Sequence, residues 1–189
     1  MKNCGFSEEE AKRIEANYHK LYTVSDDWVA AKLKQASIDG YVTLAFGVRL
    51  RTPMLKQVIW NSSSMPYEAS AEGRTAGNAV SGQSYGSLTM RAANELIQRL
   101  RLSPFKYDIK ICAIIHDAVY FLVRNNIDAV HWLNINLIEC MQWQELPEIQ
   151  HDQVKLGAKL DLFYPSWKDK LTLANKLTKE EILKLCKPS

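Results

Sequence analysis

Cysteine, charge of one sign and long apolar runs are all scarce in this sequence, and each shortage removes a class of explanation. The four cysteines, Cys4, Cys112, Cys140 and Cys186, show no CxxC spacing, so neither a zinc site nor a disulfide framework is expected. A net charge of +3 suits a polyanionic partner without demanding one. No apolar run approaches the roughly 20 residues needed to span a bilayer, and no signal-peptide pattern opens the chain. A soluble protein of a reducing cytoplasm, with no membrane partner, is the expectation. Internal repeats and low-complexity tracts are absent, and Asn61-Ser62-Ser63 has the letters of a glycosylation sequon but reads as a polar loop.

What remains is ordinary globular material: 189 residues, 47% hydrophobic and 24% charged, enough to bury a sizeable core. Ser7 and Glu10 form an S-x-x-E capping box for a first helix, with Ala11, Ile14, Tyr18 and Leu21 on one face. A second helix from about Ser25 turns Trp28, Val29, Leu33 and Ala36 inward and stops at Gly40. YVTLAFGVRLRT, broken at Phe46-Gly47, predicts a hairpin. After the loop NSSSMPYEAS, a helical pattern begins near Ala69, is interrupted around Ser81-Gly82, and resumes with Leu88, Ala92, Leu96 and Leu100 in register. Asn126 caps a helix whose face holds Ile127, Val130, Leu133 or Asn134, Leu137 and Met141, and VKLGAKLDLFY supplies a further strand. Beyond Trp167 the chain is rich in Lys and Leu, with Thr178 and Glu181 boxing a short last helix; this tail reads as an appendage.

The least ordinary segment is IKICAIIHDAVYFLV, where two apolar runs flank a single polar pair, His116 and Asp117. Two strands meeting at that pair is the natural pattern. Two-residue hairpins favour Asn-Gly or Asp-Gly because their central residues usually need positive φ, so His-Asp is a poor choice on turn chemistry alone. A structural turn and a functional pair held by a rigid scaffold both fit. One carboxylate is too few for two hard divalent cations, which ordinarily share at least two, and no second acidic residue is obviously placed beside Asp117.

IIHDAVYFLV resembles motif C of the family A (DNA polymerase I-like) DNA polymerases, where His-Asp-Glu sits at a hairpin turn of the palm. GFSEEEAKRIEANYHKLY is similar to the helix following the family's nucleotide-binding fingers helix. GYVTLAFGVRLRTP resembles its GYVET-x-x-GRR-x-x-x-P hairpin, with Gly40, Tyr41, Val42, Gly47, Arg49 and Pro53 in place. GRTAGNAVSGQSYGSL resembles the segment with Arg, Asn four residues on, and a Gln opening the long palm helix, while VKLGAKLDLFYPSWKD resembles the closing strand and Trp. The likeness spans roughly residues 5–170, and the ordered set is far more specific than any member.

The resemblance implies an α+β fold, a palm-type antiparallel sheet backed by helices with part of the fingers helices at the N-terminus. It divides the chain into a helical segment adjoining the fingers (1–39), a palm portion with the motif C hairpin (40–170) and a C-terminal helical tail (171–189). Asp117 matches the metal-binding aspartate for Mg2+, and His116 the histidine near the primer terminus. Arg74 and Asn78 match DNA contacts; for the minor-groove glutamine, direct alignment gives Gly82 and a one-residue insertion gives Gln83, the preferred choice. Ala118 stands where the family usually has Glu, and the family's motif A aspartate and fingers helix have no match. The expectation is therefore a subunit or C-terminal fragment of a DNA polymerase, with a split, bacteriophage-type enzyme in an infected bacterial cytoplasm as the economical explanation and an expression fragment as the duller one. It would act on primer-template DNA and deoxynucleoside triphosphates, and only with an upstream polypeptide supplying motif A and the fingers helix. A non-catalytic palm remnant that binds DNA or a replisome partner is the alternative. An unrelated metal-dependent hydrolase using His116, Asp117 and His131 or His151 is a third.

Overall fold

A computed structural model describes residues 5–186, so Cys4 lies outside the described residues. The chain divides into two compact units, Met1–Ser84 and Tyr85–Ser189.

In the first unit, helix α1 spans Glu8–Leu21 and starts at the capping box foreseen in the sequence. Glu10 Oε2 accepts from the Ser7 N–H at 2.9 Å, and the Glu10 N–H donates to Ser7 Oγ at 3.3 Å, satisfying two of the donors a helix start leaves orphaned. Helix α2, Thr23–Asp39, ends on Gly40 at φ 80°, a left-handed cap that glycine adopts without Cβ strain. Strands β1 (Tyr41–Thr43) and β2 (Arg49–Arg51) pair antiparallel around a 3-10 turn at Ala45–Gly47, as the Phe46-Gly47 break predicted. Helix α3, Tyr67–Asn78, leads into a π-helical turn, Ala79–Gln83, at the interruption read from the sequence.

Leu33, Ala36, Val42, Leu55, Ala76 and Val80 form this unit's core. Thr52 is fully buried, and its hydroxyl donates to the Ala36 carbonyl at 3.1 Å. Two expectations are corrected here. Trp28 is 47% exposed rather than inward, because Leu33 and Ala36 carry the buried stripe of α2. The apolar face of α1 is not buried either, with Ile14, Tyr18 and Leu21 all exposed.

The second unit is built on helices α4 (Ser84–Arg101) and α5 (Ile127–Met141) and on strands β3 (Ile109–Ile115) and β4 (Ala118–Val123). Asn126 caps α5 as expected, its side chain accepting the Asp128 N–H at 2.9 Å. Ala92, Leu96 and Leu100 of α4 meet Ile109 and Leu133, Leu137 and Cys140 of α5 in one core. Asn134 as well as Leu133 is buried, its amide donating to the Ala174 carbonyl at 3.2 Å. Burial pushes the Cys140 thiol up to about 11, so it behaves as a small hydrophobe.

The closing strand forms as β5, Leu160–Phe163, and pairs with a strand not foreseen, β6, Lys170–Leu173. Helix α6 follows at Lys179–Cys186. Leu173 and Ile182 are fully buried in the same core, so the segment expected as an appendage packs as part of the unit. The lysines that suggested a solvated tail occupy its outer positions. Among the described residues the strands form three two-stranded antiparallel sheets, one of them the expected 109–123 hairpin. No helix among these residues is long and apolar enough to cross a membrane.

Candidate active site

The β3–β4 hairpin raises His116 and Asp117 to its tip. Ile115 pairs with Ala118, so these two residues are the whole loop, as the sequence pattern required. His116 sits at φ 55°, in the left-handed region that costs a residue with a Cβ roughly a kcal/mol or more. That strain is tolerable because the strands behind it are anchored: Ile109 is buried, and Phe121 and Val123 lie against the core. Between Ile111 and Ala113 the register shifts, leaving Cys112 as an extra, exposed residue. A bulge of this kind bends a strand and re-aims what lies beyond it. His116 and Asp117 are both exposed, and neither side chain hydrogen-bonds or ion-pairs with another described residue.

Arg74, Asn78 and Gln83 lie in the other unit, on one helical run, and all three are exposed. Arg74 and Asn78 are four residues apart in α3 and share a face. A π turn closes i to i+5 rather than i to i+4, so it holds one residue more than an α turn. Gln83 therefore follows Asn78 on the same side, as Asn78 follows Arg74. The Arg74 guanidinium lies over the Tyr67 ring at 5.6 Å, a cation–π contact that steers the side chain along the helix. Just past the π turn, Ser84 Oγ donates to the Val80 carbonyl at 2.8 Å and accepts from the Ala45 N–H at 3.2 Å. This ties the tip of the β1–β2 hairpin to the helical run.

The site is poor in ligands for a cation. Among the described residues, no group of three or more His, Cys, Asp and Glu side chains could hold a metal ion. Asp117 offers one hard oxygen donor beside Ala118. The chain's own residues thus do not fit the two-cation centre that the resemblance implies, since such centres share several carboxylates. His131 and His151 do not join Asp117 in such a group. His131 sits within α5, and His151 Nδ1 accepts the N–H groups of Gln153 and Val154 in its own loop at 3.1 and 2.9 Å.

One feature the sequence did not single out lies beside the hairpin. Tyr120 of β4 stacks on Trp167, with ring centroids 5.7 Å apart, and Trp167 stacks on Phe163 at 4.5 Å and 14°. The run LFYPSW carried the signal, but only packing between two separate hairpins places Tyr120 against it.

No protein-family model and no curated protein matches the chain. A solved structure does: the POL domain of Pol1 from M. smegmatis in complex with DNA primer-template and dNTP. It superposes at a TM-score of 0.62 with 23% identity, covering 82% of this chain. This chain spans 25% of that polypeptide. The likeness is one of fold, and it agrees with the α+β, polymerase palm-type architecture expected from the sequence.

Proposed function

We propose that the chain is the palm portion of a DNA polymerase of the DNA polymerase I type, adding deoxynucleotides to a primer on template DNA. The observation that carries this is the His116-Asp117 pair, exposed on a two-residue hairpin turn with His116 held at φ 55°, in a fold shared with a polymerase domain. Turn chemistry would have chosen glycine there, and a strained residue on an anchored scaffold is a mark of function.

Asp117 supplies one carboxylate for magnesium. The remaining carboxylates, with the groups that grip the triphosphate, come from polypeptide outside residues 5–186. In a bacteriophage-type split enzyme this would be a separate upstream chain. In this reading His116 would serve at the primer terminus, and Arg74, Asn78 and Gln83 would contact DNA. The π turn supports Gln83 over Gly82 for the minor-groove contact, because it is physically the one-residue insertion that the Gln83 alignment needs. Acceptors at recurring minor-groove positions let such a residue sense pair shape without reading sequence.

The test is reconstitution. The chain alone should not extend a labelled primer-template, and should do so once the upstream polypeptide is added. Asp117→Asn should abolish extension without altering complex formation, since the side chain is exposed. Near-normal turnover by that variant would make Asp117 a turn residue only. Ala118, standing where a carboxylate is usual, favours a second reading: a non-catalytic palm remnant that binds DNA or a replisome partner. DNA binding by the assembled complex, with no extension by the wild type, would select it.

A further inference from the structure

We propose that the tip of the β5–β6 hairpin is a stacking contact for single-stranded DNA, with Trp167 as its platform; the choice of occupant rests on the polymerase assignment. The loop between the strands is braced from within. The Tyr164 N–H donates to the Asp169 carbonyl at 3.2 Å and the Asp169 N–H to the Ser166 carbonyl at 3.0 Å. The Ser166 hydroxyl donates to Asp169 Oδ2 at 2.5 Å and accepts from the Lys168 N–H at 3.3 Å. Trp167 is thus presented on a fixed loop and leans on Phe163 and Tyr120. Those contacts leave it 68% exposed, with Tyr164 beside it at 72%. A tryptophan serving only as a brace would lose most of its surface to its neighbours.

Charge selects the occupant. The two nearby carboxylates are occupied: Asp161 accepts from Thr172 at 2.6 Å and pairs with Lys170 at 3.0 Å, and Asp169 is held by Ser166. Lys168 and Lys176 are exposed and their side chains make no hydrogen bond or ion pair with another described residue, while Lys159, also exposed, lies in the field of Asp161. Exposed aromatic rings set among free lysines suit a phosphate backbone with unpaired bases. A protein partner fits less well, because lysine is depleted in the cores of protein interfaces. Position agrees: Tyr120 is three residues beyond Asp117 on β4, roughly 10 Å along a strand. A DNA strand at the hairpin tip therefore has the platform within reach.

The experiment is fluorescence anisotropy with a labelled oligodeoxythymidylate of roughly 12 nucleotides, a length within the usual site sizes. Trp167→Ala should weaken binding by roughly 5- to 150-fold, the loss of one stacked base. Trp167→Phe should recover most of that loss. Lys168→Gln should lower the slope of log affinity against log salt by about 0.7, the value for one phosphate contact to a single strand, whereas Trp167→Ala should leave the slope unchanged. Wild-type affinity in Trp167→Ala, or no binding by the wild-type chain, would overturn the proposal. A Trp167→Phe variant as weak as Trp167→Ala, with a matching fall in melting temperature, would also overturn it, making Trp167 a brace. Primer extension by the reconstituted enzyme reports separately on the polymerase assignment. Extension with Trp167→Ala neutral in binding sinks the platform alone; oligonucleotide bound through Trp167 with no extension sinks the assignment alone.

Discussion

Gly73 is the position where the packing of the first unit makes the sharpest prediction. It lies within α3, directly before Arg74, and is buried. A Cβ there would sit 2.9 Å from Cζ3 and 3.0 Å from Cη2 of Trp60, and 3.7 Å from Cδ2 of Leu55. Carbon atoms prefer about 3.5–4.0 Å, so in Gly73→Ala the indole must retreat by roughly 0.5–1 Å. Leu55, fully buried, leaves little room for a shift on its side. Overpacking of this kind costs about 1–3 kcal/mol, and replacing a helical glycine by alanine returns about 1 kcal/mol. The net expectation is a destabilisation of about 1 kcal/mol, seen as a melting temperature lower by roughly 2–4 °C for a chain of this size. Gly86→Ala in α4 is the matched control: no heavy atom lies within 4 Å of its Cβ position. It should stabilise by about 0.5–1 kcal/mol. The two substitutions should therefore move the melting temperature in opposite directions. Trp60→Leu removes the clashing ring, and in that background Gly73→Ala should lose its penalty. If Gly73→Ala stabilises the otherwise wild-type chain as much as Gly86→Ala does, the indole is not held over Gly73.

Three further outcomes follow. Arg74→Ala and Gln83→Ala should weaken primer-template binding by the reconstituted complex, with Gln83→Ala also extending mismatched termini less selectively; indifference of both would favour Gly82 and a register without the π-turn insertion. The His19 imidazole, hydrogen-bonded through Nδ1 to Asp26 Oδ2 at 2.7 Å, titrates above its ordinary value because that carboxylate stabilises the cation. The pair's contribution is therefore fully present below the unfolded histidine pKa of about 6.5 and is lost as pH rises through the raised folded value; an NMR titration of His19 should move down in Asp26→Asn, and an unmoved midpoint would refute the pairing. Amides of residues 109–123 should gain hydrogen-exchange protection when the upstream polypeptide binds, because β3 and β4 pair only with each other among the described residues and an apolar strand edge invites another strand. Equal protection in the isolated chain would refute an assembled sheet.

How much of this was legible in the sequence depended on whether the signal was local. Capping boxes at Ser7 and Thr178, the Gly40 stop, the Asn126 cap and the two-residue turn at His116-Asp117 involve residues within four positions of one another, and each formed where the local pattern put it. Strand β6 was missed because its register with β5 depends on partners about ten residues away, Leu160 opposite Leu173 and Phe163 opposite Lys170. The lysines of that stretch masked Leu173 and Ile182, two of the most deeply buried residues in the second unit. The apolar stripe of α1 shows the opposite failure. Periodicity identified a face wanting cover, but periodicity cannot say whether the cover lies within the same unit.

The candidate site divides along the same line. His116-Asp117 stood out because the pair violates turn chemistry between two apolar strands, a conflict that one segment displays by itself. Gly82 against Gln83 could not be settled by letters, since an α turn and a π turn differ by one residue and no local residue type demands either. The backbone holds a π turn at Ala79–Gln83, a feature that becomes visible only once the helix is seen. Trp167 was legible as an aromatic following a closing strand, but its 68% exposure and its stacking on Tyr120 are products of tertiary packing between separate hairpins. The shortage of carboxylates at Asp117 was visible in both views. Folding the described residues brought no Asp or Glu to complete a cation site, so a polymerase centre at Asp117 needs its further ligands from polypeptide beyond them. On the proposed function, a strand added beside β3 or β4, which pair only with each other among the described residues, would be the simplest carrier of such a carboxylate.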